Sequence, residues 1–178
     1  GMDLWPFDVR RFSGVHAQPR YLETRAIEAY AAYYKVHWPL EESHAGRNLR
    51  LSPLHETLKK AGAVFGSRAG WERPNWFAPA GVDPVDVPSF EDRPNWFSHV
   101  GAECRAIRER AVLIDQTSFA KFEITGAGTQ TALQRIAAND LSGPPGKAVY
   151  TQLCNEKGGI EADVTLVHMG PDHFYLIT

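Results

Sequence analysis

The sequence predicts an α+β fold. A helical and irregular N-terminal linker domain (1–87) precedes a domain with an antiparallel sheet (88–178). Three observations carry this expectation. Residues 98–177 read as helix, strand, helix and then consecutive strands, the order of an α+β unit. The two strands flanking Gly158-Gly159 have polarity patterns that agree in a single register. Residues 63–90 are rich in Gly and Pro and read as a linker, though an aromatic one.

Taken in order, residues 1–19 hold several prolines and no sustained period, which predicts an extended lead-in. Leu22, Ala26, Ala29, Tyr33 and Val36 then recur at helical spacing, and Pro39 ends the pattern. Residues 37–50 read as a loop. A short helix follows, with Ser52 as N-cap, Pro53 in its first turn and Gly62 after its last. The pentapeptide RPNWF occurs at 73–77 and again at 93–97. Two similar aromatic turns pinned into a core is one reading, and a substrate or inter-domain surface is the other.

Past Pro88, Val100, Cys104, Ile107 and Ala111 form one helical stripe with Ser98 as cap. Arg105, Arg108 and Arg110 fall on the opposite, solvated side. Ala120, Phe122 and Ile124 alternate with Lys121 and Glu123, as in a strand. A short helix ends near Asn139, and strands follow over 147–155, 159–168 and 173–178.

With a turn at 156–159, Leu153 faces Ala162, Thr151 faces Val164 and Val149 faces Leu166. That face is largely apolar. The other face sets Gln152 opposite Asp163 and Tyr150 opposite Thr165, so Asp163 and Tyr150 become diagonal neighbours. Gly158 and Gly159 are expected to supply the positive φ of the turn. An acid on such a face is either solvated or part of a small-molecule channel, and spacing does not separate the two. Asn155 and Glu161 are expected to support the turn.

The composition is 43% hydrophobic and 22% charged over 178 residues, with a net charge of −2. A core can form at this size. The lack of a basic block argues against nucleic acid and acidic membranes as partners. No apolar run is long enough to span a bilayer. Cys104 and Cys154 lack metal or redox spacing and are expected to be free, buried thiols of a cytoplasmic protein. His37, His44 and His55 have no metal-ligand spacing. The segment His37-Trp38-Pro39 reads as a packed aromatic corner or an inter-domain surface.

Two groups of motifs carry a family resemblance. LIDQTSFAKFEITGAG and AANDLSGPPGKAVYTQLCNEKGGIEADVTLV resemble the folate-binding domain of the glycine-cleavage T protein, an aminomethyltransferase. The segments MDLWPFDVRRF, RYLETRAIEAYAAYYKVHWP, RLSPLHETLKKAGAVFG and GWERPNWFAP resemble the part joining the flavin and folate domains of dimethylglycine and sarcosine dehydrogenases. The resemblance implies a linker domain plus the first half of a T-protein-like folate domain, a fragment of a longer protein. It implies an enzyme in which FAD on a separate N-terminal domain oxidises an N-methyl group. Tetrahydrofolate then captures the one-carbon unit as 5,10-methylene-tetrahydrofolate. No GxGxxG is present, so FAD is not expected to bind this chain.

The family has an acid after the Gly-Gly turn that contacts folate and assists proton transfer. Two consecutive acids are common there. Here the pair is Ala162 and Asp163, so the role falls to Asp163. Tyr150 matches a tyrosine of the folate channel. Phe119 matches a position near the pterin where T proteins carry methionine. Burial in such a channel raises an aspartate's pKa and makes it a better base. The expected partners are folate and a methylated glycine-type amine. The uncovered apolar surface of a partial domain predicts a dimer or swapped form. The alternatives are a stand-alone aminomethyltransferase and a non-catalytic interaction module.

Overall fold

A computed structural model describes residues 8–12, 14–38, 41–89 and 91–178. The expectations for residues 1–7 and for Pro39 fall outside these. The chain divides into two compact units, 1–118 and 119–178.

The first unit begins with 3-10 turns at Val9–Arg11 and Gly14–Ala17, and then α1, Pro19–Ala31. The lead-in is therefore coiled into turns where it was expected to be extended. Pro19 occupies the first turn of α1, where its missing N–H costs nothing. The expected apolar stripe of α1 is not its packed face. Leu22 is 53% exposed, whereas Tyr21, Thr24, Arg25 and Glu28 are half-buried. Glu28 draws that side inward by accepting the backbone N–H groups of His44 (2.7 Å) and Ala45 (3.1 Å).

The second helix, α2, runs His55–Lys60. Ser52 acts just ahead of it, its hydroxyl accepting the Leu54 N–H at 3.0 Å. Gly62 follows at φ 91°, and a Cβ there would lie 2.2 Å from the Ala78 carbonyl oxygen. No other residue fits both demands.

Residues 63–77, expected to be linker, form a hairpin of β1 (Ala63–Arg68) and β2 (Trp71–Phe77). Ala69 and Gly70 connect the strands with φ of 50° and 83°, the signs a two-residue primed turn requires. Pro74 is tolerated because this two-stranded sheet is all edge, and the register shifts at Val64/Phe65. The two RPNWF copies are consequently not similar turns. The first is strand β2, with Trp76 1% exposed. The second leads into α3 (Phe97–Glu109) and leaves Phe97 43% exposed.

Trp76 anchors the core of this unit with Val64 and Ala78, and Trp96 and Val100 pack against it. Its ring stacks on His99 at 5.5 Å. Glu103 accepts the Phe77 N–H at 2.9 Å and ties α3 to β2. Truncating a buried tryptophan of this kind costs about 3–5 kcal/mol. Ser98 lies inside α3 and Trp96 caps it. Cys104 is exposed and Cys154 half-buried; both are free, so the expectation of buried thiols is corrected.

The second unit contains β3 (Lys121–Thr125), α4 (Thr129–Ile136), β4 (Ala148–Cys154), β5 (Ile160–Gly170) and β6 (His173–Ile177). The strands form one antiparallel sheet in the order β3-β6-β5-β4. One face packs Val164, Leu166, Phe174 and Leu176 against Leu133 of α4 and Leu141. Thr151 is wholly buried on this face, and its hydroxyl accepts the Asn139 N–H at 3.0 Å. The mixed helix and antiparallel sheet agree with the α+β class.

The β4–β5 register matches the sequence expectation from Val149↔Leu166 through Leu153↔Ala162. It departs at the tip. A shift between Leu153 and Cys154 pairs Cys154 with Ile160, where an unbroken continuation of the expected register would bring Asn155 to it. Only Gly158 has a positive φ, 77°. At Gly159 the reason for glycine is proximity, since a Cβ would sit 2.9 Å from Asn155 Nδ2.

Candidate functional site

Strand parity sends the odd-numbered residues of β5 to the face opposite the core. Asp163 thereby shares a face with Tyr150 and Gln152 of β4. The Tyr150 hydroxyl donates to Asp163 Oδ2 at 2.9 Å, and Gln152 Nε2 donates to Oδ1 at 3.2 Å. Each carboxylate oxygen thus has one protein donor and keeps acceptor capacity for another. The Asp163 backbone carbonyl also accepts the Thr178 hydroxyl at 2.9 Å, which couples β5 to the end of β6.

The phenol of Tyr150 is pushed above its ordinary pKa of 10, first by its hydrogen bond to Asp163 and then by desolvation and the carboxylate's charge. It is a neutral donor at physiological pH. Tyr150 is 61% exposed and Asp163 is also exposed, so within this chain the face is open.

Phe119 lies just ahead of β3 and is 36% exposed. The next residue, Ala120, exchanges two backbone hydrogen bonds with Thr178 (2.6 and 3.0 Å). Thr178 in turn touches Asp163, so the start of β3 and the acid lie at the same end of the sheet. The register sets Gln152 opposite Asp163, and the structure makes it the acid's second donor, a role the sequence reading does not assign. Its position directly across the ladder was the available signal. Asn155 and Glu161 do support the turn. Asn155 Oδ1 accepts the Lys157 and Gly159 N–H groups at 3.0 and 2.9 Å, and its Nδ2 donates to Glu161 at 2.6 Å.

Among the described residues no group of His, Cys, Asp and Glu can hold a metal ion, and no helix is long and apolar enough to cross a membrane.

The family description "GCVT N-terminal domain" matches residues 54–178. The chain belongs to that family. Residues 1–52 match "FAD dependent oxidoreductase central domain", so this GCVT-family chain carries both signatures. It is 41% identical over 178 residues to 4-methylaminobutanoate oxidase (formaldehyde-forming) of Paenarthrobacter nicotinovorans, covering 100% of this chain and 22% of that protein. It is 36% identical over 195 residues to human mitochondrial sarcosine dehydrogenase, covering 96% of this chain and 21% of that protein. Rat mitochondrial dimethylglycine dehydrogenase is 35% identical over 177 residues, covering 99% and 20%. The chain thus spans about a fifth of the length of these relatives. The crystal structure of glycine cleavage system aminomethyltransferase T from Bartonella henselae has the same fold over 72% of this chain and 30% of that one. Its TM-score is 0.52, at 24% identity.

Proposed function

We propose that this GCVT-family chain is part of a flavin- and tetrahydrofolate-dependent dehydrogenase that demethylates N-methyl amines of the sarcosine or dimethylglycine type. The exposed face of the β3-β6-β5-β4 sheet is then its folate side. The observation that carries the reading is the Tyr150–Asp163 hydrogen bond on the face opposite the core. The names of the relatives support it, as all three act on methylated amino compounds.

The residues on this face fit a folate. Asp163 offers acceptor oxygens to N–H groups, and the half-exposed ring of Tyr150 offers an apolar surface to a flat heterocycle. When bound, tetrahydrofolate supplies the amine nitrogens that take up the one-carbon unit. Asp163 accepts a hydrogen bond from such an amine and takes the proton it must shed. Tyr150 and Gln152 hold the carboxylate in place through one bond to each oxygen. Tyr150, kept protonated, acts as a donor and not as a base. Phe119 contributes an apolar wall at the same end of the sheet. The flavin belongs to another part of the longer protein, and further chain covers the open face.

The test uses the longer protein with reduced folate and a methylated amine. Asp163→Asn is expected to slow folate-dependent one-carbon capture about 100-fold, within the range of a positioned general base. Flavin reduction by the amine should be unchanged. Capture at the unsubstituted rate in Asp163→Asn overturns the role given to this acid.

A further inference from the structure

Helix α3 ends at Glu109, and Arg110 leaves it in an extended conformation, with φ −142° and ψ 179°. Residues 111–116 continue without a turn or a bend. Val112 is 46% exposed here, Leu113 94% and Ile114 59%. Among the described residues, none of these three has a backbone hydrogen-bond partner. Their main-chain groups and their side chains are therefore open together.

That combination sets this segment apart from the other exposed apolar side chains of the first unit. Tyr30, for example, stands on α1, whose main chain is paired within the helix. At residues 112–114 water must satisfy a row of N–H and C=O groups beside apolar surface that it solvates poorly. A helix or a small ligand would cover the side chains and leave that row unmet. An extended backbone with apolar side chains meets both needs, as when a strand adds to an open edge. The composition suits a strand, since Val112 and Ile114 are β-branched and the run holds no charge and no proline.

We propose that this segment pairs edge to edge with the same segment of a second copy, as two antiparallel strands about a two-fold axis centred on Leu113. Charge sets the direction. Arg110 precedes the apolar run and Asp115 follows it. Antiparallel pairing brings the basic end of one copy to the acidic end of the other, whereas in-register parallel pairing stacks like charges. Polarity sets the register. Directly opposite side chains share a face, so the axis must pass through a residue position. Centred on Val112, it sets Arg110 against Ile114. Centred on Ile114, it sets Leu113 against Asp115. Centred on Leu113, it sets Leu113 against itself and Val112 against Ile114, so apolar meets apolar across residues 112–114. The segment lies within the first unit and does not rest on the folate reading of the sheet face.

The test is disulfide trapping in the whole chain carrying Cys104→Ser and Cys154→Ser, with Leu113→Cys, Val112→Cys and Ile114→Cys added singly. The three side chains are exposed, so these changes spare the core. Opposite positions on antiparallel strands have Cα atoms about 4.5–5.5 Å apart, within disulfide reach, and diagonal positions at about 7–8 Å are beyond it. Leu113→Cys is expected to form a covalent dimer at least about tenfold faster than either neighbour alone. Val112→Cys mixed with Ile114→Cys should crosslink as Leu113→Cys does. In the unsubstituted chain, amide hydrogen exchange within residues 112–114 should slow as concentration rises. Leu113→Lys sets like charges opposite each other and should abolish that slowing. Equal trapping at the three positions overturns the proposal, as does no trapping in Leu113→Cys. Protection that appears only in the longer protein, and at any concentration, gives the segment to another strand of that protein and overturns it as well.

Discussion

Glu72 is 4% exposed, yet it is ionised. Burial alone raises its pKa. The Arg47 hydrogen bonds, the Asn48 N–H and the Arg47 charge outweigh that and leave it below the ordinary 4.5. A depressed carboxylate contributes stability above the unfolded pKa and loses it as pH falls through the folded value. Glu72→Gln leaves the half-buried Arg47 guanidinium without its counter-charge. It is expected to cost about 3 kcal/mol in chemical denaturation at neutral pH. The acid limb of the stability curve should flatten in that variant; an unchanged limb would place the acid sensitivity elsewhere. At the other acid the probe is Tyr150. Asp163→Asn removes the carboxylate whose hydrogen bond, and then whose charge, holds the phenol up, so the Tyr150 titration, read by ring-carbon NMR, should move back toward 10. Asp163 and Tyr150 were legible as partners because strand parity fixes faces. The Arg47–Glu72 pair was not, since 25 residues separate its members and nothing local marks them.

At the scale of elements, two hairpins give opposite lessons. The β4–β5 register was readable because polar and apolar positions alternate in phase on both sides of a Gly-Gly turn. Its one-residue shift at Leu153/Cys154 leaves no such trace. The β1–β2 hairpin was hidden. Its turn uses Ala69 where Asn would signal, Pro74 interrupts the second strand, and a register shift breaks the alternation. Ala69 at φ 50° carries strain that Asn tolerates better. Ala69→Asn is therefore expected to raise stability by about 0.5–1 kcal/mol in thermal or denaturant melts. A decrease would mean that the turn does not form as described. Helix α1 shows a third case. Its apolar spacing is real, but hydrogen bonds to Glu28 turn the polar side inward.

Over the whole molecule, much apolar surface is uncovered. Ile27 is 65% exposed, Tyr30 86%, Tyr33 74% and Tyr34 95% in the first unit. In the second, Ile160 is 68% exposed, Phe122 53% and Met169 51%. A stable monomer rarely displays so many large apolar side chains. The chain is expected to self-associate with rising concentration in sedimentation, and a strictly monomeric profile would contradict this. The tip of the β4–β5 hairpin has a practical use. Asn155 closes the Glu156–Gly159 loop with its own amide, so that loop draws little from the sheet below it. Lys157 is exposed there and sits on the strand connection leading to Asp163. A reporter dye attached at that lysine would leave the acid undisturbed and brighten or dim as its surroundings change, giving an optical gauge of what settles on the open side of the sheet.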